Sequence, residues 1–220
     1  VSTSAYDSPQ GYAPGRGGFE FNPVPGMPVK EVSSLRTSPK FNSSAISHQD
    51  FIANFSDSTL LVPGTSIPIN NHINPMDIVA EMRLLNWNYS FSDFMAMCSL
   101  TIYNKGDQTF DDLHIGLWNN TVVRNINITP AGAGGASFYS QGGNGFVDSL
   151  NLAYCYDATG DEGFTDSYVG QVFLGGEDKQ GFRHPRTDSS FRVNYNAWVF
   201  NNSGQSTFFF PTTDQQRYQK

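Results

Sequence analysis

Phe94, Ala96, Cys98, Leu100 and Ile102 occupy every second position of one stretch, Asn104-Lys105-Gly106-Asp107 interrupts it, and Leu113, Ile115 and Leu117 resume the spacing. Side chains alternate across a strand with period two and recur every 3.6 residues on a helix, so these apolar groups share a face only if the backbone is extended. The pattern predicts a β-hairpin turning at 104–107. Most of the chain is written in the same way. Phe, Tyr, Val, Ile, Thr and Asn stand between Gly and Pro, and few stretches have the Ala, Glu, Lys and Leu richness of surface helices. A coiled coil is excluded on that ground.

Residues 78–85 satisfy both periods. Asn74-Pro75 has the form of a helix start, with Asn as N-cap and Pro in the first turn. Ile78, Ala80, Met82 and Leu84 nevertheless alternate with Val79, Glu81, Arg83 and Leu85, and Trp87, Tyr89 and Phe91 continue the alternation, so a strand is favoured. Further strands are expected at 121–128, 147–156, 168–174, 191–201 and 206–210, separated by Gly-rich loops such as 131–135 and 141–145. About ten strands in about 170 residues are most economically arranged as an all-β body of two antiparallel sheets, a β-sandwich or jelly-roll-like fold.

Six of the 12 prolines and five glycines fall in the first forty residues, among few bulky apolar groups. Residues 1–45 are therefore read as an extended N-terminal arm and 46–220 as the β-sandwich domain. Inside the arm Phe19 and Phe21 alternate with Glu20 and Asn22, which suits a segment laid along a sheet or groove, of this subunit or of a neighbour. Phe208, Phe209 and Phe210 put apolar groups on both faces of one strand, which calls for cover on both sides. These five phenylalanines are the candidate interface.

Charged residues make up 15% of the chain, the net charge is −7, and no Lys/Arg cluster occurs. Phosphate binding needs a concentrated positive footprint, so nucleic acid and anionic membrane surfaces are not expected partners. Nor is there an apolar run long enough for a membrane span. Val1 opens a polar stretch without initiator Met or apolar leader, and TTDQQRYQK ends the chain without turn residues, so the sequence reads as an excised part of a longer polypeptide. The two cysteines, Cys98 and Cys155, are either a single disulfide in an oxidising compartment or two small core residues. Abundant Asn, Ser and Thr, with Asn-x-Ser/Thr triplets at Asn42, Asn54, Asn88, Asn119, Asn127 and Asn201, suit an extracellular surface.

Catalytic motifs are missing from the sequence: no Gly-x-Ser-x-Gly elbow, His-Glu-x-x-His pair, P-loop or Cys-x-x-Cys. His48, His72, His114 and His184 have no metal-like spacing and read as structural or surface residues. Asp157, Asp161, Glu162 and Asp166 lie on one Gly-bearing loop and could wrap carboxylate oxygens around Ca²⁺, though a turn capping its own backbone is the simpler reading. As a glycosidase pair they would have to face each other across a cleft, which one loop does poorly. Trp87, Trp118, Trp198, Tyr89, Tyr154, Tyr156 and Tyr195 are either core residues or a flat platform for stacking sugars.

The order of features from His72 to Trp118 resembles the β-rich repeat region of large secreted surface proteins of Bacteroidota and related bacteria, which leave the cell by the type IX route. The resemblance lies in Asn71-His72-x-x-Pro75, in Asp93-Phe94 followed by Leu100-Thr-Ile-Tyr-Asn104, in Asp107-Gln-Thr-Phe-Asp-Asp112 and in His114-Ile-Gly-Leu-Trp118. It continues through Leu152-Ala-Tyr-Cys-Tyr-Asp157, Ser167-Tyr-Val-Gly170, Val172-Phe-Leu-Gly175 and Thr213-Asp-Gln-Gln-Arg-Tyr218. It implies an extracellular β-sandwich within a longer parent chain. Where such proteins often carry an Asp-rich run, this chain has Asn119-Asn120-Thr121, which leaves the 157–166 loop as the one ion candidate.

The function expected from these features is a non-enzymatic, secreted structural or adhesive module. It would act as a subunit of a surface filament or coat, exchanging strands through its arm with copies of itself or with other segments of its parent chain. The alternative is a carbohydrate-binding module that stacks glycans on aromatic rings.

Overall fold

The computed structural model describes residues 19–69, 72–111, 113–117, 119, 121, 123, 142–158, 165–178, 181–188 and 193–195. They belong to two compact units, one up to Ile115 and one from Gly116. The protein is all-β: its strands pair antiparallel throughout, and the only helical turn among the described residues is a 3-10 turn at Asp148–Leu150. No helix among them is long and apolar enough to cross a membrane.

The first unit holds β1 (Asn22–Pro23), β2 (Lys30–Val32), β3 (Gln49–Ser56), β4 (Ile78–Asn86) and β5 (Met97–Asn104). Their order is β1-β3-β4-β5, with β2 also pairing with β3. The alternation at 78–85 is thus a strand. Helix initiation at Asn74-Pro75 fails because Asp57 captures the donors a first helical turn would present: its carboxylate accepts Met76 N–H at 2.7 Å and Ile78 N–H at 2.8 Å. Asp77 between them takes a positive φ of 55°.

Two expectations around β5 need correction. β4 stops at Asn86, and residues 90–94 form a turn instead of continuing the strand to Phe91. Ser92 organises that turn, donating from its hydroxyl to Trp87 O at 2.8 Å and from its N–H to Tyr89 O at 2.8 Å. The hairpin is therefore β4–β5, with Leu84 opposite Cys98 and Met82 opposite Leu100. The turn expected at 104–107 forms, Asn104 Oδ1 accepting Gly106 N–H at 3.1 Å, but residues 113–117 are not a strand. Phe110 and Leu113 instead line a cavity of about 370 Å³ with Ile78 and Ile102. Phe110 and Leu113 thus lie against the sheet rather than extend its edge, while Ile115 and Leu117 are exposed.

The described part of the arm is laid along a sheet of its own chain. Residues 22–32 supply β1 and β2 to β3 of their own chain, and Val32 is buried with Ile52, Val62, Ile69, Ile78, Ala80 and Leu85. The strand pairing shows no break at residue 45. Near its start the buried residues are Glu20 and Asn22, whereas Phe19 and Phe21 are half-buried. The Asn22 amide donates to Phe19 O, so the polar position turns inward because it has a partner there. The most enclosed side chains of this unit are polar as well, Asp50, Asp57, Ser47 and Ser92. Hydrogen-bonded staples hold together what a thin apolar core leaves loose.

The second unit holds β6 (Gly142–Val147), β7 (Leu152–Asp157) and β8 (Tyr168–Val172) in the order β6-β7-β8, and a ribbon of β9 (Gly176–Asp178) and β10 (Gly181–Arg183). The strand expected at 168–174 is β8, ending at Val172. The single strand expected at 147–156 is instead a hairpin corner, broken by the 3-10 turn and by Asn151 in the left-handed region with φ 50°. Gly142-Gly-Asn-Gly145, read as loop, is strand: Gly143 pairs with Tyr156 and Gly145 with Tyr154. Tyrosine rings laid over the glycines supply the packing that glycine lacks. Of the strands expected at 121–128 and 191–201, the described residues Thr121, Val123 and 193–195 are not in strands, and the remainder, with 206–210, lies outside the described residues.

Candidate functional site

Two open sheet faces concentrate the features from which function can be argued. In the first unit, register places Phe51, Ala53 and Phe55 of β3, Ala80, Met82 and Leu84 of β4, and Cys98, Leu100 and Ile102 of β5 on one face. Successive side chains alternate across a strand, so this face is apolar across three strands. It is closed at the Ile78 and Ala80 end and open at the other, where Leu84 is 40% and Leu100 45% exposed. β5, whose only strand partner among the described residues is β4, forms the adjoining edge. Beside it, Tyr89 stacks on Phe91 with centroids 5.3 Å apart, and Phe91 and Phe94 are exposed.

In the second unit, Tyr154 and Tyr156 of β7 and Tyr168 of β8 share a face with Gly143 and Gly145 of β6 and Gly170 of β8. The ring centroids of Tyr154 and Tyr156 are 5.9 Å apart at 28°, and those of Tyr156 and Tyr168 are 5.7 Å apart at 25°. A Cβ built on Gly143 would lie 2.5 Å from Tyr156 Cζ and 2.8 Å from both Cε1 and Oη. With the bonded neighbours both farther than Cζ, the glycine faces the plane of the ring and not its edge. Gly145 meets the phenol end of Tyr154 in the same way, at 2.5 Å from Oη and 2.6 Å from Cζ. Each of these two rings therefore rests one face on a glycine and turns the other away from the sheet.

The opposite face of this sheet is covered differently. Tyr195 stacks on Phe146 at 5.1 Å, and its hydroxyl donates to Asn144 Oδ1 at 3.0 Å. Burial, with smaller contributions from Cys155 and Tyr154, pushes the Tyr195 phenol above its ordinary pKa. Cys155 on this face is also raised by burial, and its thiol lies 3.8 Å from Val169 O. Burial raises Cys98 too. The two cysteines lie one in each unit, both as free thiols. Raised pKa values leave both protonated at neutral pH and slow to attack or oxidise.

The acidic loop is only partly described. Asp157 ends β7 and is buried, with no hydrogen-bond partner for Oδ1. Asp166 is exposed, and Asp161 and Glu162 lie outside the described residues. No group of three or more metal-ligating side chains comes together among the described residues. The histidines serve local structure where bonds are seen. His72 Nε2 lies 2.6 Å from Asp57 O, His48 Nδ1 accepts Asn88 N–H at 3.0 Å, and His184 Nδ1 accepts Arg186 N–H at 3.1 Å. Of the expected platform, Tyr154 and Tyr156 come together, Tyr195 sits on the other face, and Trp87 and Tyr89 belong to the first unit. Trp118, Trp198 and Phe208–Phe210 lie outside the described residues. Sequence reasoning missed Tyr168 and the glycines; the available signal was Gly-x-Gly at 143–145 matched by Tyr-x-Tyr at 154–156.

Neither a protein-family model nor a curated protein nor a solved structure matches this chain.

Proposed function

We propose that the protein is a non-enzymatic structural or adhesive module of the cell exterior, associating through the first unit's sheet with copies of itself or with other segments of a longer parent chain. The observation that carries this reading is the apolar face of β3, β4 and β5, open at Leu84 and Leu100 and bordered by the β5 edge. An exposed apolar face beside a free edge gains both buried area and backbone hydrogen bonds when a second sheet or strand docks. The resemblance to secreted surface proteins supports the location, and the low charge suits a surface meant for neighbours.

Light scattering across a concentration series tests it. Association is expected for the native chain and is expected to fall by at least about tenfold in Leu84→Lys/Leu100→Lys, since a charge buried at a contact is costly. Both positions are at least 40% exposed in the single chain, and circular dichroism checks that each variant keeps the native fold. A monomer at every concentration would end the assembly form of the reading.

The arm admits a sharper test. β1 and β2 contribute only five residue pairs to β3, and the same pairs can form on a neighbour's β3 at small cost. Glu31 lies opposite Phe51, and directly paired strand residues have the Cα spacing a disulfide needs. In Glu31→Cys/Phe51→Cys, with Cys98→Ser and Cys155→Ser, strand exchange produces disulfide-linked dimers and larger species on oxidation. Monomer alone on a non-reducing gel would show that the arm stays on its own chain.

A further inference from the structure

We infer that the tyrosine and glycine face of β6, β7 and β8 is a binding site for a neutral polysaccharide, with sugar rings stacking on Tyr154, Tyr156 and Tyr168. It rests on the second unit alone and stands whether or not the first unit's sheet is a contact surface.

Three features of the face select the ligand. The first is shape. Tyr154 and Tyr156 lie on Gly145 and Gly143, so two neighbouring half-buried rings each turn one face away from the sheet, and Tyr168, 64% exposed, extends the row onto β8. Packing into a core would instead enclose these rings, yet no apolar side chain of this unit is buried among the described residues. The second is charge. Besides the tyrosines and glycines, the paired positions on this face are Val147, Leu152 and Val172, and none is charged. Bases also stack on aromatic rows, but single-stranded nucleic acid requires a positive groove along its backbone, which this face and a chain of net charge −7 do not provide. An uncharged partner remains. The third is hydrogen bonding. The three phenol hydroxyls make no hydrogen bond to described residues, and each can both donate and accept. A ligand with an apolar ring face and hydroxyls around its rim matches rings that are apolar on the face and polar at the tip. A pyranose has that form, and a row of rings fits successive sugars of one chain.

Affinity electrophoresis of the full chain, in native gels containing hydroxyethyl cellulose, xylan or galactomannan, tests the site. Retardation is expected in at least one of these neutral polymers and not in dextran sulfate or polygalacturonate. Tyr154→Ala/Tyr156→Ala is expected to weaken the apparent association at least about tenfold, and Tyr168→Ala at least about threefold. Tyr195→Ala, on the other face, is expected to leave binding unchanged. Gly143→Ala keeps every ring but drives Tyr156 off its seat, so it too is expected to weaken binding. Circular dichroism checks the fold of each variant, and if the double variant fails to fold, exposed Tyr168→Ala decides. No retardation by any neutral polymer, equal retardation by the anionic ones, or binding undiminished in the tyrosine variants would overturn the inference.

Discussion

Asp50→Ala is expected to cost the first unit about 3–5 kcal/mol, a large share of the 5–15 kcal/mol typical of a domain. Asp50 has no exposed surface. Its Oδ2 accepts Ile46 N–H at 2.9 Å and lies 3.7 Å from Arg83 Nη1, while Oδ1 accepts Ser47 N–H at 2.8 Å and the Ser47 hydroxyl. Ser47 Oγ in turn accepts Asn86 N–H at 3.0 Å, tying the loop before β3 to the end of β4. Alanine strands two backbone donors, at about 1–3 kcal/mol each, and leaves Arg83 with only Glu81 and the Ser44 carbonyl as partners. The urea midpoint is expected to fall by about 1–3 M; a fall under about 0.3 M would show that the loop holds without the carboxylate.

The same residue predicts an acid limb. Burial pushes the Asp50 carboxyl up, but the Ser47 hydroxyl, the N–H groups of Ile46 and Ser47, and Arg83 together outweigh it and hold its pKa below the ordinary 3.8. A carboxyl with a lowered folded pKa stabilises the fold above its unfolded pKa, and that stability is lost as pH falls through the folded value. Midpoints measured between pH 6 and pH 2 should therefore decline below about pH 4. In Asp50→Asn the decline should be shallower, because the group that binds a proton on unfolding is gone.

Asp57→Ala is expected to cost about as much, 3–5 kcal/mol, for a different reason. This fully enclosed carboxylate holds the entry of β4, bonding to Met76 N–H and Ile78 N–H, while its own carbonyl meets His72 Nε2. Its loss frees the two donors around Asp77, whose positive φ the surroundings must impose. Asn keeps one acceptor and points an NH₂ at the second donor, so the order of stability is expected to be native, then Asn, then Ala. Hydrogen exchange should show the extra opening at Met76 and Ile78 ahead of the rest of β4. Equal stability of the Asn and Ala chains would mean that the paired acceptance is not what holds the entry.

These two carboxylates also show where sequence reading stops. Alternation made β4 and β8 legible, since a buried face leaves the same trace whatever the strand pairs with. It said nothing of Asp50 and Asp57, because an acid with a structural partner and one in a solvated turn look alike until the donors are placed around it. Glu20 and Asn22 in place of Phe19 and Phe21 are the same lesson in the arm.

Extended backbone follows from local spacing, so the all-β class was determined by the sequence alone, as was the alternation that puts Met82 and Leu84 on one face of their own strand. Pairing is non-local and was decided by the tertiary structure. β5 pairs with β4, and Phe110 and Leu113 line a cavity with Ile78 and Ile102 instead of adding a strand at its free edge. Gly142–Gly145 became a strand only because Tyr154 and Tyr156 arrive opposite it, with rings broad enough to fill the space its missing side chains leave.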